Sequence, residues 1–304
     1  MKPASILACV LLLVLLVVPY GIDAYWLRLG TTMLMYGVLA MSWNFIGGMA
    51  GYPSFASAAF FGLGAYTGAV AQKYGLPMLL AWGTAGLVAI LFAAALGFAL
   101  LRLRGHYFAI ASLVVAEVLR EMVNSATDLT GGGMGLNLPI PKMASVVGQA
   151  QFFYYGMLGV AVLVFATSWW VKNSRLGFGL RCIHQNESAA DMLGVNTTGY
   201  KVGAFVLSGA FVGMAGAVYA SWVHYIEPPD VFDVLYSVKA IVMVLLGGAG
   251  TLFGPLIGAV LFLSLEELVW RNYLSVHTGV LGLLIVLLVL FLPKGVLALG
   301  ARRA

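Results

Sequence analysis

The sequence predicts an all-α fold, a polytopic bundle of about ten transmembrane spans in one membrane domain, 1–304, with both termini cytoplasmic. Three observations carry this. Apolar residues make up 62% of the chain and charged residues 9%, with a mean hydropathy of +0.99; soluble domains lie near roughly 45–50% apolar and about 25% charged. Apolar runs long enough to cross a bilayer recur along the whole length, and hydrocarbon admits only segments whose backbone groups pair internally, so each run is read as helix. Lys and Arg fall in alternate connections, which sets the orientation.

The spans fall at about 5–20, 27–47, 54–72, 78–101, 107–123, 152–171, 202–222, 235–249, 252–270 and 279–293. The first follows Lys2 and has the length of a signal-peptide core. A retained helix is preferred, because only small residues around Ala24 favour cleavage. Cys9 and Cys182 have neither metal-ligand spacing nor the number for a disulfide framework.

If the first span starts inside, the inside segments carry Lys2, Arg102, Arg104, Lys172, Arg175, Arg181, Lys201, Lys294, Arg302 and Arg303. The outside segments hold Arg28, Lys73, Lys142 and Arg271, with the acidic residues Glu227, Asp230 and Asp233. The pI near 9.2 records this loop bias. It does not indicate nucleic acid, since no basic patch is interleaved with exposed aromatics.

Two glycine-rich breaks interrupt the apolar pattern, FIGGMAGYP at 45–53 and LLGGAGTLFGP at 245–255. Related interruptions in two halves of a transporter point to repeats and to a route between them, which makes Gly47, Gly48, Pro53, Ser54, Gly247 and Gly248 candidates for the translocation path. Close helix packing through small residues, as at Gly209, Gly213 and Gly216, is the competing reading. Charges inside spans are few. Glu117, Arg120 and Glu121 share one helix face and can neutralise one another. Glu266 and Glu267 approach an outer boundary beside Trp270 and Arg271, and Lys239 is expected to snorkel outward.

Within the basic stretch at 172–201 lies NESAADMLGVN, at 186–196. Asn186 can cap a helix opening with Glu187, whose carboxylate suits the helix N-terminus, and Gly194 supplies the stop. Two turns are far short of the roughly 12–15 residues at which isolated helices become marginal, so the face formed by Ala189, Ala190, Met192 and Leu193 must rest on something. Its own membrane domain and a partner both qualify.

The stretch RLGFGLRCIHQNESAADMLGVNTTGYKVGAFVLSGAFVGMAGAVYA, at 175–220, resembles the cytoplasmic "EAA" coupling loop and following helix of bacterial ABC importer permeases, in particular the branched-chain amino acid permease family of LivM type. GYPSFASAAFFGLGAYTGA, RLRGHYFAIASLVVAEVLREMVNSATDLTGGGMGL, LLGGAGTLFGPLIGA and LFLPKGV extend the likeness along the chain in the family's order. The resemblance implies that the loop helix enters a cleft on a separate ATPase subunit. Glu187, Ala189, Ala190 and Gly194 take the motif positions, and Ser188 stands at the motif's first alanine. It further implies a homologous, LivH-like second permease, two ATP-binding subunits, an exported periplasmic or extracellular binding protein, and residence among the lipids of the bacterial cytoplasmic (inner) membrane.

The chain has no G-x-x-x-x-G-K-[ST] phosphate loop, so ATP is expected on the partner subunits, with no cofactor, catalytic residue or metal in this chain. His106, His184, His224 and His277 are scattered singly. An ion-coupled secondary transporter built on Glu117 remains the competing class. The expected cargo is a branched-chain or other hydrophobic amino acid, with urea or short amides as the alternative. Tyr52 and His106 depart from the family pattern at positions read as substrate-side candidates.

Overall fold

The computed structural model describes residues 10, 12–103, 105–139, 145–272, 279, 282 and 295–297. Nearly all of the expected span at 279–293, the start of the one at 5–20, and Lys2, Cys9, Arg104, Lys142, His277, Lys294, Arg302 and Arg303 lie outside the described residues.

The regular elements of the described residues are helical, apart from one two-stranded ribbon. Helix α1 spans Ala24–Trp43 and runs on into a π-helical turn, Asn44–Met49. Helices α2 (Ser57–Lys73), α3 (Met78–Leu100), α4 (His106–Ser125) and the single turn α5 (Thr127–Thr130) follow. Then come β1 (Leu136–Asn137), α6 (Val146–Asn173), α7 (Arg175–Gln185), α8 (Glu187–Met192), α9 (Thr197–Val223) and β2 (Tyr225–Ile226). Turn α10 (Pro228–Val231) leads to α11 (Leu235–Gly247) and α12 (Gly254–Asn272).

Four helices among the described residues are long and apolar enough to cross a membrane, at Ala24–Met49, Met78–Leu100, Val146–Asn173 and Thr197–Val223. The other expected spans with described helices are shorter or more polar. Helix α2 has 17 residues, α11 has 13, and α4 carries Glu117, Arg120 and Glu121.

Helix α9 is the centre of the bundle and packs against α2 and α3. The small residues explain how closely. A side chain on Gly64 would overlap the Gly213 carbonyl, its Cβ only 2.0 Å from the oxygen, and one on Gly216 would meet the Phe61 carbonyl at 2.1 Å. Close backbone approach of this kind replaces the hydrophobic drive that lipid cannot supply. Phe60, Phe108 and Phe205 fill the remaining space in edge-to-face contact, with Phe60 and Phe205 5.1 Å apart between ring centres.

The two ends of the bundle differ. One end carries the 174–196 loop and both glycine breaks; the other carries the β1–β2 ribbon, in which Leu136 pairs with Ile226. Helices α1 and α11 run side by side in the same direction. Tyr36 stacks on Tyr236 upstream, and the residues that follow each helix meet downstream.

Candidate functional site

Helix α8 forms as its sequence dictates. Asn186 is extended (φ −161°, ψ 105°), and its Oδ1 accepts the Ala189 amide at 3.0 Å, satisfying one of the free donors of the first turn. At the other end Gly194 turns left-handed (φ +81°), and the amides of Gly194 and Val195 return to the carbonyls of Asp191 and Ala190. The expected apolar face divides in two. Ala190 is 2% exposed and faces the bundle, whereas Met192 and Leu193 are 83% and 84% exposed.

An ion pair holds the inner side. The Lys201 ammonium, on the first turns of α9 and buried, donates to Glu187 Oε1 at 2.7 Å, to the Leu101 carbonyl at 3.1 Å and to the Tyr52 hydroxyl at 3.2 Å. The Tyr52 hydroxyl itself donates to Glu187. The ammonium also sits 4.7 Å from the Tyr52 ring centre, and that ring meets Phe108 edge to face. Leu101 caps the C-terminus of α3, where the helix dipole favours a cation. One contact therefore gathers α8, α9, the end of α3 and the segment after α1.

This geometry bears on two sequence-based expectations. Lys201, counted in the sequence among the inside-segment cations, is a buried and paired one. Tyr52 was read as facing substrate, yet it faces the loop helix. The pairing was hidden because its partners lie 149 and 14 residues apart in sequence.

The glycine breaks come together at the same end. Asn44 bridges them: its Nδ2 donates to the Thr251 carbonyl at 3.0 Å, and its Oδ1 accepts the Gly250 amide at 2.8 Å. An asparagine placed just before a double glycine in an apolar run was the signal for this bridge, because a buried polar group requires partners. Cβ atoms added at Gly47, Gly48 and Gly247 would lie 2.2 Å from the Trp43 indole, 1.9 Å from Asn44 Oδ1 and 1.7 Å from the Gly254 carbonyl. Gly248 has φ +121°, a conformation open mainly to glycine. Each of the four thus has a packing or backbone reason for its residue type.

Between the π turn and α2 the chain is irregular: the Gly51 and Tyr52 amides still return to the Gly47 and Ile46 carbonyls, and side chains take over the hydrogen bonds of the residues that follow. The Trp43 indole donates to the Ser54 carbonyl at 2.7 Å, Ser237 Oγ donates to the Phe55 carbonyl at 2.7 Å, and the Phe55 amide donates to Ser112 Oγ at 2.9 Å. Ser54 is buried, whereas Gly51 and Pro53 are exposed on the bundle surface. A cavity of about 220 Å³ opens where the breaks meet α7, lined among others by Gly48, Gly250, Lys172, Arg181 and His184.

Two further ion pairs occur among the described residues. Glu117 and Arg120 form an exposed ion pair on α4, as expected. Lys239 does not snorkel outward: it pairs with Glu266 at 2.6 Å, joining α11 to α12, and lies 5.4 Å from the Tyr36 ring centre. Glu267 accepts from the Tyr25 hydroxyl. His106 is exposed at the start of α4, and Cys182 is a free thiol on α7.

Comparison with known proteins decides the family. Residues 25–292 match the family described as branched-chain amino acid transport system / permease component. The chain belongs to this family. It is 30% identical to the high-affinity branched-chain amino acid transport system permease protein LivM of Escherichia coli (strain K12), over 95% of this chain and 74% of that protein. It is 29% identical to LivM of Salmonella typhimurium (strain LT2) over 94% of this chain and 73% of that protein. LivH of E. coli K12 matches at 25% over 88% of this chain and 92% of LivH. No solved structure matches. As a member of the family the chain is a permease subunit of an ABC importer and not itself an enzyme.

Proposed function

We propose that this permease works in the bacterial inner membrane as one of two homologous permease subunits, and imports branched-chain or other hydrophobic amino acids delivered by an exported binding protein. Two ATP-binding subunits drive it from the cytoplasmic side, where α8 docks. The observation that carries this reading is the division of α8. Met192 and Leu193 present an apolar pair to water, while Ala190 and Glu187 fix the helix to its own bundle. Exposed apolar tips on an anchored two-turn helix suit insertion into a groove on a partner.

The route is proposed to run beside the breaks, past Gly47, Gly48, Pro53 and Ser54 and past Gly247 and Gly248. The breaks lie at the loop end of the bundle, and the exposed Gly51 and Pro53 favour a lining role for that segment at the mouth of the route. The test is uptake of radiolabelled leucine, isoleucine, valine, urea and a short amide by cells carrying the complete gene set, with this gene present or deleted. Loss of branched-chain uptake alone on deletion supports the reading; loss of urea or amide uptake alone replaces the cargo.

A further inference from the structure

We infer that the Glu187–Lys201–Tyr52 contact is the link through which movement of α8 reaches the break after α1, with Lys201 and Tyr52 as positioning residues for transport. This rests on reading α8 as the ATPase-docking helix. The resemblance assigns Glu187 to ATPase coupling, yet its carboxylate is turned inward onto Lys201 and Tyr52. Docking is left to Met192 and Leu193 on the far side.

Non-helical residues bound α8 on either side. Asn186 is extended and Gly194 left-handed, so neither end continues a helix into the bundle. The buried ion pair and the packing of Ala190 are among the contacts that fix α8 to the bundle. A charge pair shielded from water resists separation far more than an exposed one, so its members move together. On the receiving side, Tyr52 stands where the π turn ends, its amide still returning to the Ile46 carbonyl at 3.1 Å, and the irregular residues just beyond it, Ser54 and Phe55, are held through the side chains of Trp43, Ser112 and Ser237. Such a stretch can change shape without breaking a helix. The Leu101 carbonyl adds the end of α3 to the same ammonium. A pull on α8 is thereby delivered to the segment that carries the exposed Pro53.

The test uses the complete complex with its second permease, ATPases and binding protein in liposomes, in a background with both cysteines changed to serine. Tyr52→Phe removes one hydroxyl and keeps the ring on Phe108, and Lys201→Met removes the charge at similar length. Uptake per ATP hydrolysed is expected to fall by about 5- to 150-fold, the ordinary range of coupling between sites, with binding-protein-stimulated hydrolysis retained. A second readout needs no knowledge of the cargo. A cysteine at Pro53→Cys is labelled with a thiol reagent, with and without vanadate-trapped nucleotide. The labelling rate is expected to change on trapping in the parent and to stay constant in Tyr52→Phe. Proportionate loss of uptake and hydrolysis in Tyr52→Phe, or an unchanged labelling response, overturns the link. A parent complex that shows the labelling response but moves no amino acid faults the proposed cargo and leaves the link standing.

Discussion

At the scale of single residues, the buried charge pair has the largest energetic consequence. Lys201 and Glu187 have side chains 3% and 15% exposed, so removing one partner leaves a charge with little water to solvate it. Breaking such a pair from one side typically costs about 3–5 kcal/mol, whereas replacing both partners by apolar groups is often neutral. Glu187→Ala is therefore expected to lower the melting temperature of the purified permease clearly, and Glu187→Leu/Lys201→Met to recover most of that loss. Additive losses would mean that the two residues act independently. The glycines at the breaks give a second expectation. Gly48→Ala pushes a methyl group into the Asn44 amide that bridges the breaks. Overpacking costs about 1–3 kcal/mol, so thermal stability and expression should fall together; a stable protein with selectively lost transport would instead assign Gly48 to the route.

At the scale of elements, α8 was legible because its signals are local. Asn186, Glu187 and Gly194 state a cap, a dipole partner and a stop within nine residues; the structure uses Asn186 as the cap and Gly194 as the stop, and spends the Glu187 carboxylate on Lys201 and Tyr52. What the local pattern could not say is which face of so short a helix turns inward, since that depends on Tyr52 and Lys201 on other elements. The breaks were legible as interruptions but not as neighbours, because Asn44 and Gly250 lie 206 residues apart. Gly194 offers a clean test of the stop. Among the described residues no atom apart from its chain neighbours lies within 4 Å of an added Cβ there, so Gly194→Val meets chiefly the cost of a left-handed backbone, about 1–2 kcal/mol for an ordinary residue and more for a branched one. The variant should insert and reach normal levels while co-purifying less ATPase. Full ATPase recovery together with normal uptake would remove the loop helix from the coupling role.

At the scale of the whole molecule, composition alone dictated a helical membrane protein, and the apolar periodicity located the long spans because lipid leaves the backbone no other way to cross. The shorter elements were harder to place. Helix α11 stops at Gly247 after 13 residues because the Gly-Gly sequence admits the φ of +121° at Gly248, and α4 pairs Glu117 with Arg120 on its own surface. With the loop end of the bundle in the cytoplasm, Asn186→Cys should react only with reagent added inside, and Asp230→Cys, beyond the β ribbon, only with reagent added outside. Reaction of both from one side would reverse or break the bundle's assigned direction. The central claim is that this chain moves its cargo with energy received from ATPases bound at α8. Its most direct measurement is uptake into liposomes holding the complete complex, with ATP or with an imposed proton or sodium gradient as the only energy source. Uptake is expected with ATP and binding protein together and to be abolished when the ATPases are omitted; uptake driven by the ion gradient without the ATPases would contradict the importer mechanism and make the chain a secondary transporter.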